Sequence, residues 1–384
     1  MNFVEDDLHA ELRSSVAKLA GQWGHAYYAE KARTDGRVTE LWQAMAGHGY
    51  LSVNLPEVHG GGGQGVSELA VVGEELAAQG CPLLLMLVSC AISGELIARF
   101  GTDDQQGAWL PRLAAGEKVV FAITEPDAGS NSHRLSTTAR RDGEGWLLRG
   151  VKCYISGVDE AAAILVVART GDDEATGKAR LSLFIVDADA AGLDRTVIPV
   201  EIRSPEKQFT LFFDDVAVGS DRLLGTEGDG LRQVFFGLNP ERIMGAALAN
   251  GLGRYALDKA SAYARERSVW GVPIGSHQGL AHPLAQAKID VELARLMTTK
   301  AAWLHDNGAD GAGEAANMAK LAAADAADSA LDAAIQVHGG NGLASEYGLA
   351  DLWGMVRLLR IAPVSREMIL NYVAQHSLGL PRSY

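Results

Sequence analysis

Hydrophobic and polar positions change their period twice along this chain, which divides it into three zones. In residues 1–118, apolar residues recur at three- and four-residue steps: Leu8, Leu12, Val16 and Leu19, then Leu69, Val72, Leu76 and Ala77. That spacing places them on one face of a helix and predicts an N-terminal helical domain. In residues 119–225 the pattern breaks into short apolar or alternating runs at 119–123, 146–148, 163–167, 181–186 and 209–213. Turn signals such as Asp142-Gly143 and Gly171-Asp172 separate them, and no long helical pattern intervenes. This predicts a small antiparallel β domain rather than βαβ units, and so argues against a nicotinamide-binding Rossmann fold. Residues 226–384 return to long Ala- and Leu-rich helical patterns, broken at 271–275, 307–313 and 339–342. Long helices with short connections predict a C-terminal domain resembling a four-helix bundle. The expected class is therefore α+β and multidomain: helices, sheet, helices.

Composition narrows the function classes. The chain has 384 residues, of which 47% are hydrophobic and 21% charged, as in ordinary globular proteins with room for several cores. No apolar run reaches the ~18 residues of a membrane span. The start, from Met1 to His9, is acidic and has neither the basic beginning nor the apolar segment of a signal peptide. Three cysteines (Cys81, Cys90 and Cys153) cannot all pair and form no CxxC, so a reduced, cytoplasmic protein is expected. A net charge of −14 opposes nonspecific nucleic-acid binding, although a single local Arg can still hold a nucleotide. The ten histidines show no metal-ligand spacing, and no metal site is expected.

Candidate chemistry lies in a few segments. Phe121-Ala122-Ile123-Thr124-Glu125-Pro126-Asp127-Ala128-Gly129-Ser130 follows a β-rich run, and its turn gathers hydroxyls and free N–H groups able to grip a polar cofactor edge. Gly60 to Gly63 lack the GK[ST] of a phosphate loop and read as a flexible connector. Leu83 to Val88 is strongly apolar and reads as core or as the lining of a pocket. Together with Gln336-Val337-His338-Gly339-Gly340-Asn341-Gly342, the turn after Phe121 resembles the acyl-CoA dehydrogenase family of flavoenzymes, and the resemblance covers nearly the whole chain.

The resemblance implies FAD between the sheet and the C-terminal bundle, with a second subunit over its adenosine end. Phe121, Ile123 and Thr124 would then line the isoalloxazine, and Ser130 would meet the pyrophosphate or the substrate's pantetheine arm. Tyr154 and Ser156 match a Trp-x-Thr/Ser element that stacks on the flavin and reaches N5 or O4; the other reading of Tyr154 is plain core packing. From the neighbouring subunit, Arg267, Trp270 and Gln278 match an Arg-x-x-Phe-Gly … Gln segment, and Gln336, Gly339 and Gly340 match the turn that admits the adenosine diphosphate. Arg267 reads alternatively as a surface ion-pair partner of Glu266. The family's adenine-side Thr and Gln appear here as Val364 and Arg366. A homotetramer built as a dimer of dimers is implied.

The implied reaction is α,β-dehydrogenation of an acyl-CoA to the trans-2-enoyl-CoA. A carboxylate takes the α-proton, the β-hydrogen leaves as hydride to flavin N5, and the electrons pass to an electron-transfer flavoprotein. The family's commonest base position is Ala362 here, which cannot take a proton. A minority, including isovaleryl-CoA and long-chain dehydrogenases, carries the base on another helix, where this chain has Glu241 followed by Arg242, the family's Arg near the CoA nucleotide. Glu241 is thus the expected base. On local sequence alone it reads as a helix N-terminal Glu after Pro240. The Ala362 N–H is expected to bind the thioester carbonyl. Three alternatives stay open: a dehydrogenase of carrier-protein thioesters, a flavin oxidase, and a silent paralogue serving as a binding subunit.

Overall fold

The computed structural model describes residues 7–175 and 177–382; Met1 to Asp6, on which part of the acidic-start reading rests, and Ser383-Tyr384 lie outside them. The first zone holds α1 (Asp7–Ala20), α2 (Gly24–Arg33), α3 (Thr39–Gly47) and α4 (Val66–Ala78). A π-helical stretch (Met86–Gly94) then leads into α5 (Glu95–Phe100) and α6 (Asp103–Ala114). Thr102 and Gln105 cap α6 reciprocally, each side chain meeting the other's backbone N–H. Gln105 also donates to the Asp221 and Leu223 carbonyls, which ties the helical zone to the sheet. The Gly60–Gly63 loop is folded tightly instead of loosely. Its amides donate to Ser52, Val53, Leu55, Pro56 and Glu57 carbonyls through residues 60–64, and a Cβ at Gly61 would sit 2.1 Å from the Leu55 oxygen.

The sheet contains β1 (Val119–Ala122), β2 (Thr138–Asp142), β3 (Gly145–Ser156), β4 (Ala163–Asp172), β5 (Ala179–Asp187), β6 (Leu193–Ile198), β7 (Gln208–Val218) and β8 (Leu223–Leu224). Its main path is β6-β7-β3-β2-β4-β5-β8, with β1 added beside β4. The sheet is mixed, which corrects the antiparallel expectation: β1 and β2 both run parallel to β4. Residues 123–162 supply the long crossover that a parallel β1–β4 pair requires. Both faces of β4 and β5 are covered. Ile164, Val166, Phe184 and Val186 face one core, while Leu165, Val167, Leu183 and Ile185 face a second one shared with Ile92, Trp109 and Leu110. This accounts for their continuous apolar runs, since a strand buried on both faces needs no alternation.

The last zone begins with α7 (Gly230–Glu266), followed by a short hairpin of β9 (Ser268–Val269) and β10 (Val272–Pro273). Then come α8 (Gln278–Asp306), α9 (Ala312–His338), α10 (Trp353–Ile361) and α11 (Arg366–Tyr372). The buried alanines of α9, among them Ala316, Ala323, Ala327 and Ala330, let it pack closely on both α7 and α8. α7 also touches α4, α5 and the π-helical stretch, so one helix joins the N-terminal zone to the bundle. Among the described residues no helix is long and apolar enough to cross a membrane.

α4 and α7 approach closely at Gly251, where a Cβ would lie 2.2 Å from the Glu74 carbonyl oxygen and 2.6 Å from the Ala77 Cβ. Backbone cannot yield there. Gly251→Leu is therefore expected to destabilise the protein by about 1–3 kcal/mol or more, seen as a lower thermal midpoint. A midpoint equal to wild type would show that α4 and α7 do not dock this closely.

Candidate active site

The turn after β1 is built around a buried carboxylate. Glu125 is 3% exposed and accepts hydrogen bonds from the Ser136 N–H and hydroxyl (both 2.7 Å), the Thr137 N–H (2.9 Å) and the Lys152 ammonium (2.9 Å). Lys152 also donates to the Ile123 carbonyl at 2.9 Å. Burial alone would raise the Glu125 pKa, but Lys152 and these donors outweigh it and hold the carboxyl at about 2. The pair thereby clamps the loop 123–137 onto β3. The Cys153 N–H donates to the Thr124 carbonyl at 2.9 Å, which sets Thr124 beside Tyr154.

Tyr154 does not pack into the core. It is 63% exposed and has φ = 57°, a left-handed conformation that a bulky residue rarely adopts. Its ring is presented outward as a flat face. Ser156 is half-buried and accepts from Gln208 Nε2 at 3.0 Å. Ile123 and Thr124 are half-buried and Ser130 is exposed. Phe121 departs from its expected place: at 7% exposure it packs into the second core, because its strand alternation points it away from Ala122's side.

Glu241 lies well inside α7, which begins eleven residues earlier at Gly230. The helix-N-terminus reading of Glu241 is thereby excluded, because the macrodipole acts only within the first turn. One turn further on is Gly245, where a Cβ would meet Pro363 at 3.6 Å and Leu87 at 3.9 Å. Leu85 in turn packs on Gly157, at the end of β3. The 361–365 segment and the π-helical stretch therefore meet beside Gly245, one turn from Glu241, and the residues leading into that stretch also touch the end of β3. Leu83 to Leu87 are buried. Glu241 is half-buried, and burial pushes its carboxyl up to about 8 despite the opposing charges of Arg242 and Lys320. Arg242 donates to Asn239 Oδ1 at 2.9 Å, and its Nε is buried without a partner among the described residues. A cavity of about 350 Å³ opens beside Asn239, rimmed by Arg99 and Arg232.

Ala362 is close by, but its N–H is not free. It donates to the Leu358 carbonyl at 2.8 Å, closing the last turn of α10. The expected thioester-carbonyl donor is thus already engaged in this structure. Val364 and Arg366, expected at the adenine end, are also occupied: the Val364 carbonyl accepts from Lys320 at 2.6 Å, and Arg366 pairs with Asp325 at 3.4 Å. Lys320 and the Glu125–Lys152 pair were not singled out from sequence. Lys320 carried a usable signal, since it shares the inward face of α9 with Ala316, Ala323 and Ala327.

Arg267, Trp270, Gln278, Gln336, Gly339 and Gly340 gather at the opposite end of α7. Ala264, Ile274 and Val337 form a small core there, and Asn341 donates to the Tyr263 hydroxyl at 3.0 Å. All six are exposed, Trp270 at 88% with φ = 52°. Among the described residues Arg267 forms no ion pair with Glu266 or any other acid. Glu241 and Arg267 are separated by about 39 Å along the helix, at 1.5 Å per residue.

Matches to family models cover the chain in three consecutive blocks: residues 6–117 match the N-terminal domain of acyl-CoA dehydrogenase, 120–216 the middle domain and 228–378 the C-terminal domain. The chain belongs to the acyl-CoA dehydrogenase family. It is 57% identical to acyl-CoA dehydrogenase FadE12 of Mycobacterium tuberculosis over 385 aligned positions, covering 100% of this chain and 99% of the relative. A glutaryl-CoA dehydrogenase solved with glutaryl-CoA superposes with a TM-score of 0.94 at 28% identity, covering 100% of this chain and 98% of that one. The FAD complex of PigA superposes with a TM-score of 0.91 at 25% identity, covering 99% of this chain and 100% of that one.

This acyl-CoA dehydrogenase is accordingly a FAD-dependent oxidoreductase with the family's three-domain fold. Its own residues fit FAD. Tyr154 offers an outward ring, a Cβ at Gly339 or Gly340 would meet nothing within 4 Å, and His277 beside Trp270 keeps a buried Nε2 without a partner among the described residues.

Lys152→Met strands the Glu125 carboxylate in the interior, and the expected cost is about 3–5 kcal/mol. The sign of the pH effect follows from the depressed Glu125 pKa. Its contribution to stability is present above the ordinary carboxylate value of about 4.5 and is lost as pH falls toward 2. Wild type should therefore lose stability across that window and the variant should not. Parallel acid profiles in thermal melts would contradict the clamp.

Proposed function

We propose that the chain dehydrogenates an acyl-CoA thioester at Cα–Cβ, with Glu241 as the base that removes the α-proton. The observation that carries this reading is Glu241's place on α7, one turn from the Pro363 contact, where Ala362 offers no acid. FAD, when bound, supplies the acceptor for the β-hydrogen, which departs as hydride. The Glu241 carboxylate takes the Cα proton and becomes neutral, and the pair of electrons left at Cα closes the new double bond. Enclosure by apolar protein makes that neutral product favourable, and it matches the base to a weakly acidic C–H. Asn239, the partner of Arg242, lines the cavity bordered by Arg99 and Arg232, where the anionic end of CoA would lie.

The gap of about 39 Å between Glu241 and Arg267 supports a second copy of the chain as the source of the pyrophosphate-side residues. Arg267 can grip a pyrophosphate with two parallel hydrogen bonds, and the bare backbone of Gly339 and Gly340 gives the dinucleotide room. An exposed apolar row on α8, made by Ile289, Leu293, Leu296 and Trp303, fits a dimer that pairs into a tetramer. An electron-transfer flavoprotein is the proposed electron acceptor. The three cysteines are buried and free, which fits a reducing cytoplasmic setting.

Glu241→Gln should keep shape and FAD content and lose at least about 10²–10⁴-fold in the rate of anaerobic flavin bleaching by acyl-CoA. Because the base works only when ionised, wild-type kcat/KM should rise with pH and level off above about 8. Bleaching at the wild-type rate in the variant would remove Glu241 from this role.

A further inference from the structure

Lys320 sits in the middle of α9 at 1% exposure. Its ammonium donates to the Val364 carbonyl at 2.6 Å, in the short segment that joins α10 to α11 and faces the Glu241 turn of α7. A single backbone carbonyl is weak compensation for an ion taken out of water, a transfer that costs several kcal/mol even after relaxation. The charge must have another counterpart. α9 lies along α7 with Gly313 at Asn239 and Ala327 at Gly253, which sets Lys320 beside the turn that follows Glu241, and Glu241 is the acid of α7 whose carboxylate Lys320 attracts.

The other charged groups around Lys320 do not serve. Asp325, on the same helix, already pairs with Arg360 at 2.9 Å and with Arg366 at 3.4 Å. Glu367 on α11 also attracts Lys320, but more weakly than Glu241 and Asp325 do, and Arg242 on α7 repels it. Arg242, the other cation near Glu241, already donates to Asn239 and is itself flanked by Tyr372 of α11. Lys320 and Glu241 do not form a contact ion pair among the described residues. The carboxylate is therefore not locked by the lysine and can still reach a substrate, while it feels the positive charge through a poorly polarisable interior.

We propose that Lys320 is a positioning residue for the base: its buried ammonium pins the Val364 segment opposite Glu241 and, at neutral pH, supplies the positive charge that the Glu241 carboxylate faces. This rests on Glu241 being the base. Burial lowers the Lys320 pKa to about 8, so its charge persists at neutral pH, where it opposes the burial that pushes the Glu241 carboxyl up to about 8. Proton abstraction removes the negative charge from Glu241 and leaves Lys320 unopposed, which also favours return of that proton to solvent after turnover.

The test is the pH profile of kcat/KM for FAD-loaded Lys320→Gln, Lys320→Met and Lys320→Arg, run beside Glu241→Gln. Gln can keep the hydrogen bond to Val364 without the charge, Met keeps neither, and Arg keeps the charge. Loss of the charge should move the rising limb to higher pH by about one unit, with about tenfold lower activity at pH 7 that is regained in alkali. The Arg variant should keep its limb near wild type. The proposal is overturned if Gln and Met lower activity by one factor at every pH with the limb unmoved, because that is the behaviour of a purely structural lysine. Should Met fail to fold, the Gln variant carries the same test. An inactive Glu241→Gln with an unmoved Lys320→Gln limb sinks this inference alone, whereas an active Glu241→Gln sinks the base assignment instead.

Discussion

The close packing of α7 is the constraint on which the other features depend. Its glycines meet neighbours that leave no room for a side chain: Gly237 at Leu96, Gly251 at the Glu74 carbonyl, and Gly253 at Val291. At Gly245 the approach is ordinary contact, to Pro363 and Leu87. Each contact fixes α7 against a different element, so the helix cannot slide or rotate without breaking several at once. A carboxylate carried on such a helix is placed by the packing of the whole molecule rather than by a local loop. Under the proposed assignment, this packing is what places the base on α7, while Ala362, in the segment from α10 to α11, offers no acid.

Two buried charge arrangements serve opposite ends. Glu125 and Lys152 are in direct contact and saturated with hydrogen bonds, which makes a rigid clamp beneath the turn after β1. Glu241 and Lys320 are kept apart, and among the described residues the Glu241 carboxylate accepts no hydrogen bond. A carboxylate held like Glu125 at about 2 would be too weak a base for a carbon acid, and one held like Glu241 would be too loosely bound to organise a loop. The difference lies in the number of donors around each oxygen.

Much of this was legible in the sequence. Helical and strand periods gave the three-zone order, and the absence of an acid at Ala362 directed attention to Glu241. The polar strands β2 and β6 escaped notice because most of their residues are exposed and carry no apolar run. The parallel pairing of β1 with β4 depends on a long crossover, which no local period records. The occupied Ala362 amide depends on where α10 makes its last turn, a boundary that sequence fixes only to within a few residues. Lys320 was readable as a charge on an inward helix face, but its partner on α7 is distant in sequence and emerges only when the helices are assembled.

The central claim is that the carboxylate of Glu241, and no other, faces the reacting carbon. A crystal structure of the FAD-loaded protein with a bound acyl-CoA tests this most directly. The account predicts a Glu241 carboxylate oxygen about 3–3.5 Å from Cα, with no second carboxylate nearer. A Glu241 side chain turned away from the thioester, or another acid closer to Cα, would contradict it.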